Sequence, residues 1–159
     1  MENRKPKFNE LSNKPKEKGS EERPKDPVDE LIEKLKNIDL KDLSDRDIFH
    51  PKGYGSKLAE TLEIQTVQLR RIYQELKSLN DDAKKEGIDK VAPRLYKLYA
   101  IVEYQAGRGI IKGKFKNLVH KMLDNIERHI GKNENTAKEN LKRAYDLMMA
   151  IVAYSKKGG

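Results

Sequence analysis

Thr66-Val-Gln-Leu-Arg-Arg-Ile-Tyr-Gln-Glu-Leu-Lys-Ser-Leu-Asn-Asp-Asp-Ala-Lys-Lys85 sets Leu69, Ile72, Tyr73, Leu76 and Leu79 three or four residues apart. Side chains at that spacing share one face of a helix, whereas a strand would alternate every second residue. The Thr66 hydroxyl suits the helix start, where it can accept an orphan backbone N–H. Gly87 suits its end, because glycine adopts the left-handed conformation that closes helices.

The same period extends in both directions. A helix from about Asp89, with Pro93 in its first turn, carries Val91, Leu95, Leu98, Tyr99 and Val102 and ends at Gly107-Arg108-Gly109. Another, from about Lys114 to Ile130, turns Phe115, Leu118, Val119, Met122, Leu123 and Ile126 inward and is stopped by Gly131. A last one, from about Asn135 to Ser155, carries Ala137, Leu141, Ala144, Tyr145, Met148 and Val152. Upstream, Val28, Leu31, Ile32, Leu35 and Ile38 mark a short helix begun by Pro27. Asp39 to Ser56 reads mostly as loop, pinned to the core by Leu40, Leu43, Ile48 and Phe49, and Lys57 to Leu62 as one or two helical turns. No β-branched alternating run occurs. The fold class is therefore all-α: a single-domain helical bundle over residues 28–159, with four main helices plus shorter N-terminal helices. The short connections imply antiparallel neighbours.

Residues 1–27 differ. They hold four of the six prolines, eight basic and six acidic residues, and only Phe8 and Leu11 as large apolar groups. Too little apolar surface is present to offset the entropy of ordering, which predicts a disordered, charged, Pro-rich tail.

Composition narrows the function classes. The chain has 159 residues, 34 basic and 26 acidic, for a net charge of +8. That excess favours an anionic partner, nucleic acid ahead of membrane. Cysteine is absent, which excludes thiol catalysis, disulfides and cysteine zinc sites. No apolar stretch suggests a secretory signal or a membrane span, so a cytoplasmic protein with no membrane contact is expected. His120 and His129 lie nine residues apart on one helix and His50 lies in a loop, so no metal pair forms. Asp81-Asp82 and Glu21-Glu22 lack the apolar setting that raises a carboxylate pKa. The chain is expected to be no enzyme, with no metal and no cofactor.

Binding residues are easier to nominate. From Tyr104 to Leu123 no acidic residue occurs, and the stretch carries Arg108, Lys112, Lys114 and Lys116 around Gly107, Gly109 and Gly113. A dinucleotide or P-loop motif would need a preceding strand and another spacing, so these glycines are read as turning the chain. Such a corner exposes backbone N–H groups and suits phosphate. Arg70, Gln74 and Lys77 share a second polar face, flanked by Arg71. An ordinary solvated face and a nucleic-acid face fit this second pattern equally well. Arg94 and Lys97 could extend it. Tyr54 and Tyr104, near loops, are candidates for stacking on bases.

Thr66-Val-Gln68-Leu-Arg70-Arg71 resembles the Thr-Ser-Gln-Ile/Leu-Arg-Lys signature of the small subunit of type III-A CRISPR effector complexes, the Csm small subunit. Tyr104-Gln-Ala-Gly-Arg108 is similar to that family's helix-ending step, and Ala150-Ile-Val-Ala-Tyr154-Ser-Lys156 to its C-terminal motif. Phe49…Gly53-x-Gly55 is a fourth, weaker match. The resemblance runs from about Lys41 to the C-terminus and departs from the family at Met148-Met149 and in the last four residues. It implies a non-catalytic subunit that self-associates as a filament. It also implies support of CRISPR guide RNA and target RNA, and contact with the backbone subunits and the large signalling subunit, in antiviral defence. By motif position, Arg70, Arg71 and Arg108 are implied as RNA-binding. Lys77, Lys112, Lys114 and Lys116 join them on charge pattern alone. The alternative is a structural helical adaptor that docks acidic protein surfaces without binding RNA.

Overall fold

The computed structural model describes residues 26–155. The tail assigned to residues 1–27 lies outside them, apart from Asp26 and Pro27. Those two open the first helix: Pro27 occupies its first turn, and the Asp26 carboxylate accepts the Val28 N–H at 2.8 Å. Seven α-helices follow one another: α1 (Pro27–Leu35), α2 (Asp45–Phe49), α3 (Tyr54–Leu62), α4 (Thr66–Glu86), α5 (Ile88–Gly107), α6 (Gly113–Glu127) and α7 (Glu134–Tyr154). A 3-10 turn, Leu40–Asp42, lies between α1 and α2. No strand occurs among the described residues, and α4 to α7 are the four long helices the periodicity predicts.

Gly87 alone joins α4 to α5, at φ +97°, a value that side chains rarely tolerate. The two helices therefore fold back on each other, and Arg94 of α5 reaches Asp82 at 2.6 Å and Ser78 at 2.8 Å on α4. Helix α6 lies antiparallel to α5, with the Tyr99 hydroxyl donating to Asp124 at 2.7 Å. Burial, followed by that carboxylate, drives the Tyr99 pKa upward.

Helix α7 is the hub, touching α2, α3, α4, α5, α6 and the 3-10 turn. Its buried surface is accordingly wider than the predicted stripe and includes Leu147 and Ile151. Tyr145 stacks on Tyr73 of α4 with ring centroids 5.5 Å apart. Asp146, 3% exposed, is neutralised by Lys142 at 2.9 Å and Arg143 at 3.2 Å.

The segment read as loop, Asp39 to Ser56, is largely helical. Ser44 and Asp47 cap α2 reciprocally, each side chain accepting the other's backbone N–H at 3.0 Å. Helix α3 begins at Tyr54, three residues before the predicted start, because Gly55 sits inside a helix for want of space. A Cβ there would lie 2.4 Å from the Ala150 Cβ and 2.7 Å from the Ile48 carbonyl oxygen. Tyr54 is 7% exposed, with the Lys34 and Lys57 ammonium groups over its ring, so it is closed to base stacking.

Two buried asparagines fasten the chain between α1 and α2. Asn125 Oδ1 accepts the Leu40 N–H at 2.6 Å, and its Nδ2 donates to the Ile38 and Leu35 carbonyls at 3.1 and 3.2 Å. Asn140 Oδ1 accepts the Lys41 N–H at 2.9 Å, and its Nδ2 donates to the Asn125 carbonyl at 3.0 Å. Beside them, Asp39 meets Arg128 and His129, both at 2.9 Å. Burial would raise the Asp39 pKa, but hydrogen bonds from Arg128 and His129 hold it below the ordinary 3.8.

A carboxyl depressed in the folded state stabilises the fold above its unfolded pKa, and that contribution is lost as pH falls through the folded pKa. Asp39→Asn should therefore melt below the parent chain at neutral pH, with the gap closing between about pH 5 and about pH 2. Thermal melts across that range check this. A pH-independent gap would show that the charge of Asp39 is immaterial.

Candidate nucleic-acid interface

The basic residues nominated from sequence divide into two groups. Lys77 pairs with Asp81 one turn along α4, at 3.1 Å. Lys112 meets Glu63 at 3.5 Å, Lys116 meets Glu103 at 3.2 Å, and Lys114 pairs with Asp26. The stretch without acids is thus supplied with carboxylates from three other segments. The Asp26 carboxyl is held below its usual range, chiefly by the Lys114 hydrogen bond.

The arginines are different. Arg70 and Arg71 are exposed and make no hydrogen bond or ion pair among the described residues. Arg108 has no carboxylate partner there either. Its guanidinium donates to the Tyr104 hydroxyl at 2.7 Å and lies 5.6 Å from that ring's centroid. This contact holds the fork in place without neutralising it.

The hairpin at Gly87 brings the arginines to one end of the bundle. Arg70 lies seventeen residues before Gly87 and Tyr104 seventeen after it, so antiparallel helices set them level. Arg71 and Arg108 also share a side, while Arg70 lies about 100° round α4 from Arg71. Arg94 reaches Glu75, Ser78 and Asp82, and Arg71 stands one turn before Glu75 on that stripe. On α5, Arg94, Ile101 and Arg108 recur every seven residues on the flank that faces α4.

Three apolar residues that the sequence reading did not nominate, Val67, Ile101 and Ile110, complete this end beside Tyr104. Val67, Ile101, Tyr104 and Ile110 are large apolar side chains exposed by 44–61%. Val67 stands one turn before Arg71, and Ile101 one turn before Tyr104. For Val67 and Ile101 the signal was available, since each is an apolar residue out of phase with its helix's buried stripe, whereas Ile110 lies in the connection between α5 and α6.

Of the corner glycines, only Gly109, at φ +76°, needs glycine for its backbone. Gly107 and Gly113 have open space around them and lie within helices. The other motif segments converge here through packing. Thr66 Oγ1 lies 3.5 Å from Ser155 Oγ, Tyr154 donates to the Phe49 carbonyl at 2.7 Å, and Gly55 abuts Ala150. Lys156, the last charged residue of the C-terminal motif, lies outside the described residues.

Among the described residues no cluster could hold a metal ion, and no helix is long and apolar enough to cross a membrane. His120 keeps its buried Nε2 without a hydrogen bond, 3.6 Å from Glu103. His50 Nδ1 accepts the Lys52 N–H at 3.0 Å.

An all-helical, basic single domain with arginines gathered at one end has the character of a small assembly subunit. The family model for Csm2 Type III-A matches residues 46–159, most of the chain. The chain belongs to that family and is the small subunit of a type III-A CRISPR effector complex. No curated protein and no solved structure matches it.

Proposed function

We propose that this subunit is non-catalytic and supports guide and target RNA from its arginine-bearing end. The observation that carries the reading is the contrast in pairing. Arg70, Arg71 and Arg108 have no carboxylate partner among the described residues, whereas Lys77, Lys112, Lys114 and Lys116 each have one. Unneutralised guanidinium forks are the groups best suited to bidentate phosphate contacts. Sequence is read by base pairing within the guide duplex, so the protein needs only charge and shape. Tyr104, held by Arg108, offers a ring on which an unpaired base can stack. Filament-like repetition of the subunit, in contact with the backbone and large signalling subunits in the cytoplasm, would multiply a weak individual affinity.

The test is a salt titration of RNA binding by the full chain. About three phosphate contacts predict a log–log slope near −2 on single-stranded RNA. Replacing Arg70, Arg71 and Arg108 together by Glu should lower affinity by at least about 100-fold and flatten that slope. Replacing Lys112, Lys114 and Lys116 by Ala should cost less than about 5-fold, because a surface ion pair already engages each one. Equal losses from the two variants would refute the assignment.

The exposed Val67, Ile101 and Ile110 favour a second reading, in which this end docks on a protein surface. Capture of partner subunits that survives ribonuclease, by a chain with no RNA affinity of its own, would establish that reading instead.

A further inference from the structure

A second basic region lies away from the arginines. A cleft of about 800 Å³ opens between α4, α7 and the segment from the 3-10 turn to α2. Its lining carries five cations against three carboxylates, a net excess of two positive charges. Two of the carboxylates are already engaged, Asp45 by Arg143 and Asp146 by Lys142 and Arg143. Lys84 and Lys138 have no ion pair among the described residues.

Asn80 is the unusual member of the lining. It is 4% exposed and makes no hydrogen bond among the described residues. Its polar atoms are not sealed from solvent, so the amide is open to the cleft and free to meet a ligand there. Helices α4 and α7 run antiparallel with Tyr73 beside Tyr145, which sets Asn80 level with Lys138. Asn80, Lys84 and Lys138 thus gather at one end of the cleft. Phe49 and Met149, both half-buried, lie toward the other end. Lys138 and Met149 are eleven residues apart on α7, about 16 Å along its axis.

We propose that this cleft binds a nucleoside triphosphate, its phosphates on Lys84, Lys138 and the Asn80 amide and its ring against Phe49 and Met149. The lysines supply point charge and the amide N–H a directional donor. The thioether and the phenyl ring supply the polarisable apolar surface on which a heterocycle packs. An extended nucleoside triphosphate, with its sugar and ring, spans the separation between the two ends, whereas a free phosphate or triphosphate reaches only one of them.

Calorimetric titration of the full chain with ATP, tripolyphosphate and adenosine tests the site. ATP is expected to bind with a Kd on the order of 100 µM, and either fragment at least about 10-fold more weakly. Lys84→Glu with Lys138→Glu, both toward solvent, should weaken ATP at least about 30-fold, and Asn80→Leu about 10-fold. Melting curves establish that each variant is folded. Arg70→Glu with Arg71→Glu should leave ATP binding unchanged, which separates this site from the proposed RNA surface. Three outcomes would overturn the proposal: no binding of ATP at about 1 mM, tripolyphosphate as tight as ATP, or loss of ATP binding in the arginine variant but not in the lysine variant.

Discussion

Asn125→Leu should unfold at least about 10 °C below the parent chain, a loss of about 3 to 5 kcal/mol. The substitution conserves size and adds apolar character, so a simple burial argument predicts little change. The hydrogen bonds say otherwise. Removing the amide strands the Leu40 N–H, which it accepts at 2.6 Å, and the Leu35 carbonyl, which it donates to at 3.2 Å. The Ile38 carbonyl keeps only its bond from Arg128, at 3.1 Å. Each buried backbone group left unpaired costs about 1 to 3 kcal/mol. Domains of this kind are stable by only about 5 to 15 kcal/mol, so the loss is a large share of the total. Asn133→Ala, which removes the cap of α7, is the comparison and should cost about 1 kcal/mol. Denaturant unfolding of both variants decides the matter. If Asn125→Leu costs no more than the cap variant, the staple between α6 and the 3-10 turn carries little of the stability.

Gly55→Val should be the most disruptive single substitution on α3, at about 3 kcal/mol or more. The methyl groups would enter a contact in which even a Cβ meets Ala150 Cβ at 2.4 Å and the Ile48 carbonyl oxygen at 2.7 Å. The carbonyl belongs to the backbone of α2 and cannot move aside as a flexible side chain would. Relief would push α3 away from α7 and open the core around Leu58 and Leu62. A double-mutant cycle identifies the cause. Ala150→Gly alone should cost about 1 kcal/mol through helix propensity. Combined with Gly55→Ala it should cost less than the sum, because one of the two obstructions is gone. Strict additivity would mean that the close approach at Ala150 is not what excludes a side chain at position 55.

These two positions show how far the chain could be read without its structure. The four long helices follow from apolar spacing alone, since each stripe must be buried against something and only a bundle buries them all. The loop reading of Asp39 to Ser56 failed for a definite reason. Short helices carry too few turns to display a period. Gly55 is glycine because of a neighbour ninety-five residues away, Ala150. The inward face of α7 was underestimated because helices and turns surround it on several sides, and a one-sided stripe is the wrong template for a hub.

The candidate interface divides in the same way. Arg70, Arg71 and Arg108 were legible from local motifs, and none of them meets a carboxylate among the described residues. The lysines of the Tyr104–Lys116 corner were nominated because no acidic residue lies near them in sequence. Folding supplies Glu63, Glu103 and Asp26 from segments that run alongside. Absence of acids along the chain is a statement about one dimension, whereas charge at a surface is a sum over three.

By itself the sequence determined the four long helices, most of their apolar faces, the turn at Gly87 and the basic character of the molecule. These depend on residues within a few positions of one another, where spacing and backbone conformation act directly. Only the tertiary structure decided which cations stay unneutralised, why Gly55 has no side chain, and what Asn125 and Asn140 hold together. It also decided that Asn80 faces a cleft with no partner of its own. Each of those depends on atoms brought together from distant parts of the chain, and no local pattern records which segments will meet.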